Sequence, residues 1–182
     1  MKRSVLVNGL ATGALLSVMF IATNYFIEHK NNPSLASTIG NILLMASLSM
    51  VFFAIRNVRD QVNKGHISFN MAFRTAMLVI LIGTFCYTAT KSTYAFFIDK
   101  GYLNRSIDRT IEVETQNILN SKDFTDSEKQ KKIQEFTSNM DDLRTPYAFI
   151  ITSILEFFPM GLVISILCAA LMKRVEVKPV KS

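Results

Sequence analysis

Two ionisable side chains stand in the least polar company this sequence offers. Glu156 is the only acidic or basic residue between Pro146 and Met172. Lys91 lies near the end of a second apolar block, Ala72 to Ile98, whose only other charge is Arg74. A carboxylate and an ammonium in such surroundings have three kinds of use. They pair and fix the register of two segments, or they line a site for an ion, a proton or a lipid-linked headgroup. In the third, desolvation favours the neutral carboxyl and leaves Glu156 protonated and hydrogen-bonded. Thr84, Tyr87, Thr88, Lys91 and Tyr94 form one polar stripe at helical spacing and supply hydroxyls to either group. Pro159, three positions after Glu156, lacks an amide donor and disturbs the carbonyl of Leu155; a kink there opens a small polar pocket.

The second group with chemical potential is basic. Arg56, Arg59 and Asp60 are three and four residues apart, on one helical face of the tract AIRNVRDQVNKGHISFNMAFRTAM, residues 54–77. The arginines are candidates for binding an anion. Lys64-Gly65 ends that helix, and Ser68 caps the next. Cys86 and Cys168 both fall in apolar blocks at different depths, so no disulfide is expected. There is no CxxC, no His/Cys metal spacing and no glycine-rich phosphate loop, and His29 and His66 fall in different loops. No nucleophile and base stand at a catalytic spacing. The expectation is a protein without catalytic residues, cofactor or metal.

The elements that position these residues are set by apolar length. Hydrophobic residues make up 49% of the 182 and charged residues 19%, below the share usual for soluble domains. Four blocks, 5–27, 35–55, 72–98 and 146–172, each reach the roughly 20 residues that cross a bilayer as a helix. Strands would leave backbone groups unpaired in lipid, so the fold class is an all-α integral membrane protein with four transmembrane helices. The first block is longer than a signal-peptide core and is followed by no small-x-small site, so it reads as a retained anchor. Lys2, Arg3, Arg56, Arg59, Lys64, Arg74, Lys173, Arg174, Lys178 and Lys181 then fall on one side, with Asp60 and Glu176. Segment 99–145 holds eight basic and ten acidic residues. Positive charge stays inside, which predicts cytoplasmic termini and an extracytoplasmic 99–145. The net charge of +6 is thus a topology signal and gives no support for nucleic acid.

Helix positions also set depth. Glu156 is ten residues in from Pro146, roughly 15 Å at the helical rise, and Lys91 is seven from Ile98, roughly 10 Å. Third and fourth spans are antiparallel in this topology, so the two groups are expected to face each other inside the bundle. Gly9, Gly13 and Ser17, and Gly161, Ser165 and Ala169, are rows of small residues at four-residue spacing. Such rows serve close helix packing, either within the bundle or in a homo-oligomer. In the 99–145 segment, Gly101 breaks or bends the third helix and residues 105–120 read as a helix with Ile107, Ile111 and Ile118 on one side. Thr125 to Glu128 reads as a capping box, followed by a face of Ile133, Phe136, Met140 and Leu143. The two form a helical hairpin that packs on itself, on the membrane surface or on a partner.

Two tracts carry a resemblance. Ile55-Arg56, Arg59-Asp60, Gly65, Ile67, Phe69 and Ala72-Phe73, with Leu155-Glu156, Pro159 and Gly161-Leu162-Val163-Ile164-Ser165, resemble the domain-of-unknown-function 4199 family. The likeness extends over nearly the whole chain in helix number and loop lengths. It implies a four-helix protein of the bacterial inner membrane with no established activity, and a link to polyprenyl-phosphate glycosyltransferases. The functional expectation is a non-catalytic accessory or scaffold subunit, with the lipid bilayer and a membrane protein or second copy as partners. The alternative is a small transporter or flippase-like protein for a lipid-linked or anionic solute.

Overall fold

The computed structural model describes residues 2–28, 33–121 and 123–174. Glu176, Lys178 and Lys181, on which part of the charge argument rests, lie outside the described residues, as do His29 and the side chain of Lys2. Six α-helices follow one another: α1 (Lys2–Glu28), α2 (Pro33–Asn57), α3 (Phe69–Thr93), α4 (Tyr102–Asn120), α5 (Asp126–Asp141) and α6 (Pro146–Met172). Among the described residues the only extended pairing is an isolated antiparallel bridge between Ile67 and Arg174. Four helical stretches are long and apolar enough to cross a membrane: Arg3–Ile27, Ser34–Val62, Phe69–Ile98 and Pro146–Met172. The fold class is therefore as the sequence predicts.

Two of these stretches close in a π-helical turn, and the third keeps its expected end at Ile98. The second span continues past Ile55 through a π-helical turn, Val58–Val62, and α3 likewise ends in one, Tyr94–Ile98. In each the next amide closes a five-residue step: Asn63 N donates to Val58 O at 3.1 Å, and Asp99 N to Tyr94 O at 2.8 Å. The wider turn lets a helix carry polar residues beyond its apolar stretch before the chain reverses.

The chain divides into two compact units. The first comprises Met1–Thr90 and Ile154–Ser182. Its core is Val51, Ala54, Ile55, Val58, Ala72, Ala76, Val79 and Ala169, all fully buried. Buried hydroxyls turn back on their own helices: Thr12 donates to Asn8 O and Thr75 to Met71 O, both at 2.8 Å. An apolar surround offers no other acceptor, so the preceding turn's carbonyl takes the proton. The small-residue rows lie inside this unit. A Cβ on Gly9 would stand 2.8 Å from Ile82 Cβ, one on Gly13 2.5 Å from Cys86 Cβ, and one on Gly83 2.7 Å from Thr12 Cγ2. Ser17 and Thr90 share a hydrogen bond of 2.9 Å. Gly161 faces Ile80 in the same way, and Ser165 and Ala169 are fully buried. Both rows are engaged within the unit, so the packing they supply is intramolecular.

The second unit, Lys91–Ser153, holds the hairpin. Tyr102, Leu103, Ile107 and Ile118 are buried on α4, and Ile133, Phe136, Met140 and Leu143 are half-buried opposite them. The capping box forms: Thr125 N donates to Glu128 Oε2 at 2.8 Å and Glu128 N to Thr125 Oγ1 at 3.4 Å. The bond from Thr125 N, and after it one from the Thr125 hydroxyl at 2.8 Å, hold the Glu128 carboxyl below its usual value. Arg144 closes the unit, donating to Asp108 at 2.6 Å, Asp141 at 2.8 Å and Asn104 at 3.3 Å. Gly101 stands before the first residue of α4 rather than within a bent α3, and Arg105 reaches back to Asp99, whose carboxyl it holds below the usual range.

Candidate functional site

Glu156 takes its position from α6, which runs through Pro159 without interruption. The Tyr87 hydroxyl donates to Glu156 Oε2 at 3.2 Å. Tyr87 is itself fixed: its ring is 2% exposed and meets Phe20 and Phe157 edge-on, at centroid distances of 6.1 Å and 4.5 Å. A buried, clamped phenol aimed at a carboxylate sets that carboxylate's rotamer. The polar stripe of α3 is thus real at Thr84, Tyr87 and Thr88, all buried.

The burial expected for Glu156 is not found. The residue is exposed. It stands on a groove of about 410 Å³ lined by residues of α1, α2 and α6. The apolar lining comes from Met19, Leu44, Phe157 and Met160, the polar lining from Thr23, Ser37, Asn41 and Glu156. The physical reason is helix rotation. Gly161 faces α3 at Ile80, and Glu156, five positions earlier and so about 140° round the helix, lines the groove with residues of α1 and α2. Asn41 is also exposed, and it is the one amide in the apolar block 35–55. That isolation is the sequence signal that marks it.

Lys91 belongs to the second unit, and its own surroundings there are aromatic. Its ammonium lies 5.3 Å from the centroid of the Phe149 ring. Phe149 is 6% exposed and meets Phe96 and Tyr102 edge-on. A cation over a ring face is favoured by about 0.5–1 kcal/mol when wet and about 2 when desolvated. Lys91 and Glu156 therefore each have a neighbour within their own unit, a ring for one and a phenol for the other.

Arg56 and Arg59 converge on Asp60, as their spacing predicts, at 3.6 Å and 2.7 Å. The turn that follows also forms as expected. Lys64 and Gly65 take positive φ of 51° and 90°, and Met71 N donates to Ser68 Oγ at 3.4 Å. Beyond it lies a feature the sequence hid. A cavity of about 420 Å³ is lined by Lys64, His66, Ser68 and Arg174, with Val62, Ile67 and Met71 as apolar walls. Both cysteines are free thiols, and among the described residues no group of three His, Cys, Asp or Glu side chains is placed to hold a metal ion.

No match is found among curated proteins or among solved structures. A family model does match, over residues 8–174, and its span takes in both quoted tracts, the groove and the basic cavity. The chain belongs to the family described as protein of unknown function (DUF4199).

Proposed function

We propose that the chain is a non-catalytic accessory subunit of a complex in a bacterial cytoplasmic membrane. Its orientation in this reading places Arg3, Arg56, Arg59, Lys64, Arg74, Lys173 and Arg174 in the cytoplasm, with the α4–α5 hairpin on the other side. The observation that carries the reading is the pair of exposed polar residues, Asn41 and Glu156, on a groove between apolar spans. A charged side chain left in lipid costs at least about 2.5–3.5 kcal/mol. Tyr87 donates to Glu156, and a carboxylate accepts several hydrogen bonds at once. A transmembrane helix of another protein that brings hydroxyl, amide or basic groups reaches both exposed residues at once. The family resemblance points to polyprenyl-phosphate glycosyltransferases as the class of partner to test first. Transport of an anionic solute through this groove is the weaker reading, because among the described residues the one charged group lining it is a carboxylate.

Affinity purification in mild detergent tests the proposal. Stoichiometric recovery of a second membrane protein is expected, falling at least about fivefold in Asn41→Leu and Glu156→Gln, by the worth of an interhelical hydrogen bond. A chain that purifies alone, or a partner retained equally by both variants, defeats the reading. For the orientation, a cysteine at Ser127 in a background lacking Cys86 and Cys168 is expected to label from outside only.

A further inference from the structure

The basic cavity is a better-formed anion site than the arginines that the sequence singles out. Arg56 and Arg59 are both spent on Asp60. Lys64, His66 and Arg174 line one cavity, and among the described residues none of the three has an ion pair or a hydrogen bond from its side chain. A bias of positive charge toward one end of the spans accounts for such residues being present. It does not account for their being gathered, which here is the work of the backbone.

Three local features do the gathering. The π turn Val58–Val62 ends at Asn63, whose amide donates to Met71 Sδ at 2.8 Å. Lys64 and Gly65, both at positive φ, reverse the chain, and Gly65 N donates to Arg59 O at 2.8 Å. Ile67, 2% exposed, then exchanges two backbone hydrogen bonds with Arg174, each 2.9 Å. That bridge pins the residues just past α6 beside the α2–α3 turn and holds Arg174 on the same cavity as Lys64 and His66. The site lies where two spans end, at Val62 and Met172. It therefore has a polar side with cations and a hydroxyl, and an apolar side of Val62, Ile67 and Met71.

We propose that this cavity binds a phosphate group. Guanidinium and ammonium groups donate charge-assisted hydrogen bonds to phosphate oxygens, and Ser68 adds a neutral donor. The volume falls within the usual range for small-ligand sites. Phosphate at this level comes either from the headgroup of an anionic phospholipid, whose glycerol meets the apolar walls, or from a soluble phosphate ester. Basic recesses at the ends of spans suit headgroups of this charge.

The experiment uses the full chain, delipidated in neutral detergent. Native mass spectrometry reads binding of phosphatidylglycerol against phosphatidylcholine, and calorimetry reads glycerol phosphate. Lys64→Asn combined with Arg174→Gln is expected to lower binding about tenfold or more, by the loss of two cationic contacts. A second double variant, Arg3→Gln with Arg56→Gln, makes the same change in net charge outside the cavity and is expected to stay within about twofold. Asn tolerates the positive φ at residue 64 better than Lys, so Lys64→Asn alone is expected to keep the melting temperature while weakening binding. Preference for phosphatidylglycerol over glycerol phosphate assigns the headgroup, and the reverse assigns a soluble ester. Equal losses in the two double variants, or no binding of either phosphate probe, overturn the site.

Discussion

The seam between α1 and α3 and the face shared by α1, α2 and α6 belong to the same compact unit, and α1 takes part in both. At the seam, Gly9, Gly13 and Gly83 bring the helices so close that a Cβ on any of them meets another side chain within 3 Å. On the shared face, Thr23, Ser37, Asn41 and Glu156 line a groove of about 410 Å³. Between them, the void at Thr12, Ser47 and Thr84 shrinks to about 10 Å³, at most one water. In lipid the hydrophobic effect does not draw helices together, so contact area and hydrogen bonds decide. Glycine rows give contact area, and that seam is closed within the chain. Polar side chains need donors and acceptors, and that face keeps Asn41 and Glu156 exposed on an open groove.

The sharpest break of this comparison exchanges the rules at one position on each side. Gly13→Leu forces a side chain into Cys86 Cβ and toward Gly83 O, the latter a backbone atom 3.4 Å from the built Cβ. Overpacking costs about 1–3 kcal/mol, occasionally more, and helices already this close have little room to yield. A large fall in melting temperature in detergent, with little folded protein recovered, is expected. Asn41→Leu, on the groove side, is expected to change the stability of the isolated chain by no more than about 0.5 kcal/mol. Similar losses from both would show that the groove is as tightly determined as the seam, and the contrast would fall.

The second test concerns Glu156 and Lys91. Their depths in the sequence predict a pair, and each is found with an aromatic neighbour in its own unit. A double-mutant cycle measures coupling directly. Glu156→Gln is expected to be mild, because an amide oxygen still accepts from Tyr87. Lys91→Met gives up the contact with Phe149 and is expected to be the worse single change. If the two charges interact, the double variant recovers about 0.5–3 kcal/mol of the summed loss. Strict additivity in thermal melts would assign each residue to its own neighbours and end the pairing.

These cases show what is legible in a sequence of this kind and what is not. The fourth span, Pro146 to Met172, was readable to the residue because lipid sets its length and proline its start. The capping box was readable because its two bonds depend only on residues three apart. The π turns were not, since a wider turn leaves no distinct apolar period. Nor was the exposure of Glu156, because depth along a helix says nothing of its rotation. The basic cavity was hidden for a third reason: Ile67 and Arg174 are brought together by backbone hydrogen bonds, which any side chain permits.

The smallest expected effect lies outside the spans, where neither rule of the comparison applies and water competes for every polar contact. There the α5 start is held by Thr125 and Glu128. Thr125→Ala removes an N-cap worth about 1 kcal/mol. Amide protection over the first turn of α5, corrected for intrinsic exchange, is then expected to fall about fivefold, with α1 and α3 unchanged. The pH dependence follows in sign from the same bonds. Glu128 has its carboxyl lowered from an ordinary value of 4.5 by hydrogen bonds from Thr125, so folding binds fewer protons there than the unfolded chain does. Its contribution is complete above that ordinary value and fades as pH drops through the lower folded value. Protection at α5 is therefore expected to decline in acid for the parent chain and to lose most of that decline in Glu128→Gln, whereas Thr125→Ala keeps the backbone bond that is the larger cause. An acid-insensitive parent, or an unchanged decline in Glu128→Gln, would mean that the cap does not set the stability of this turn.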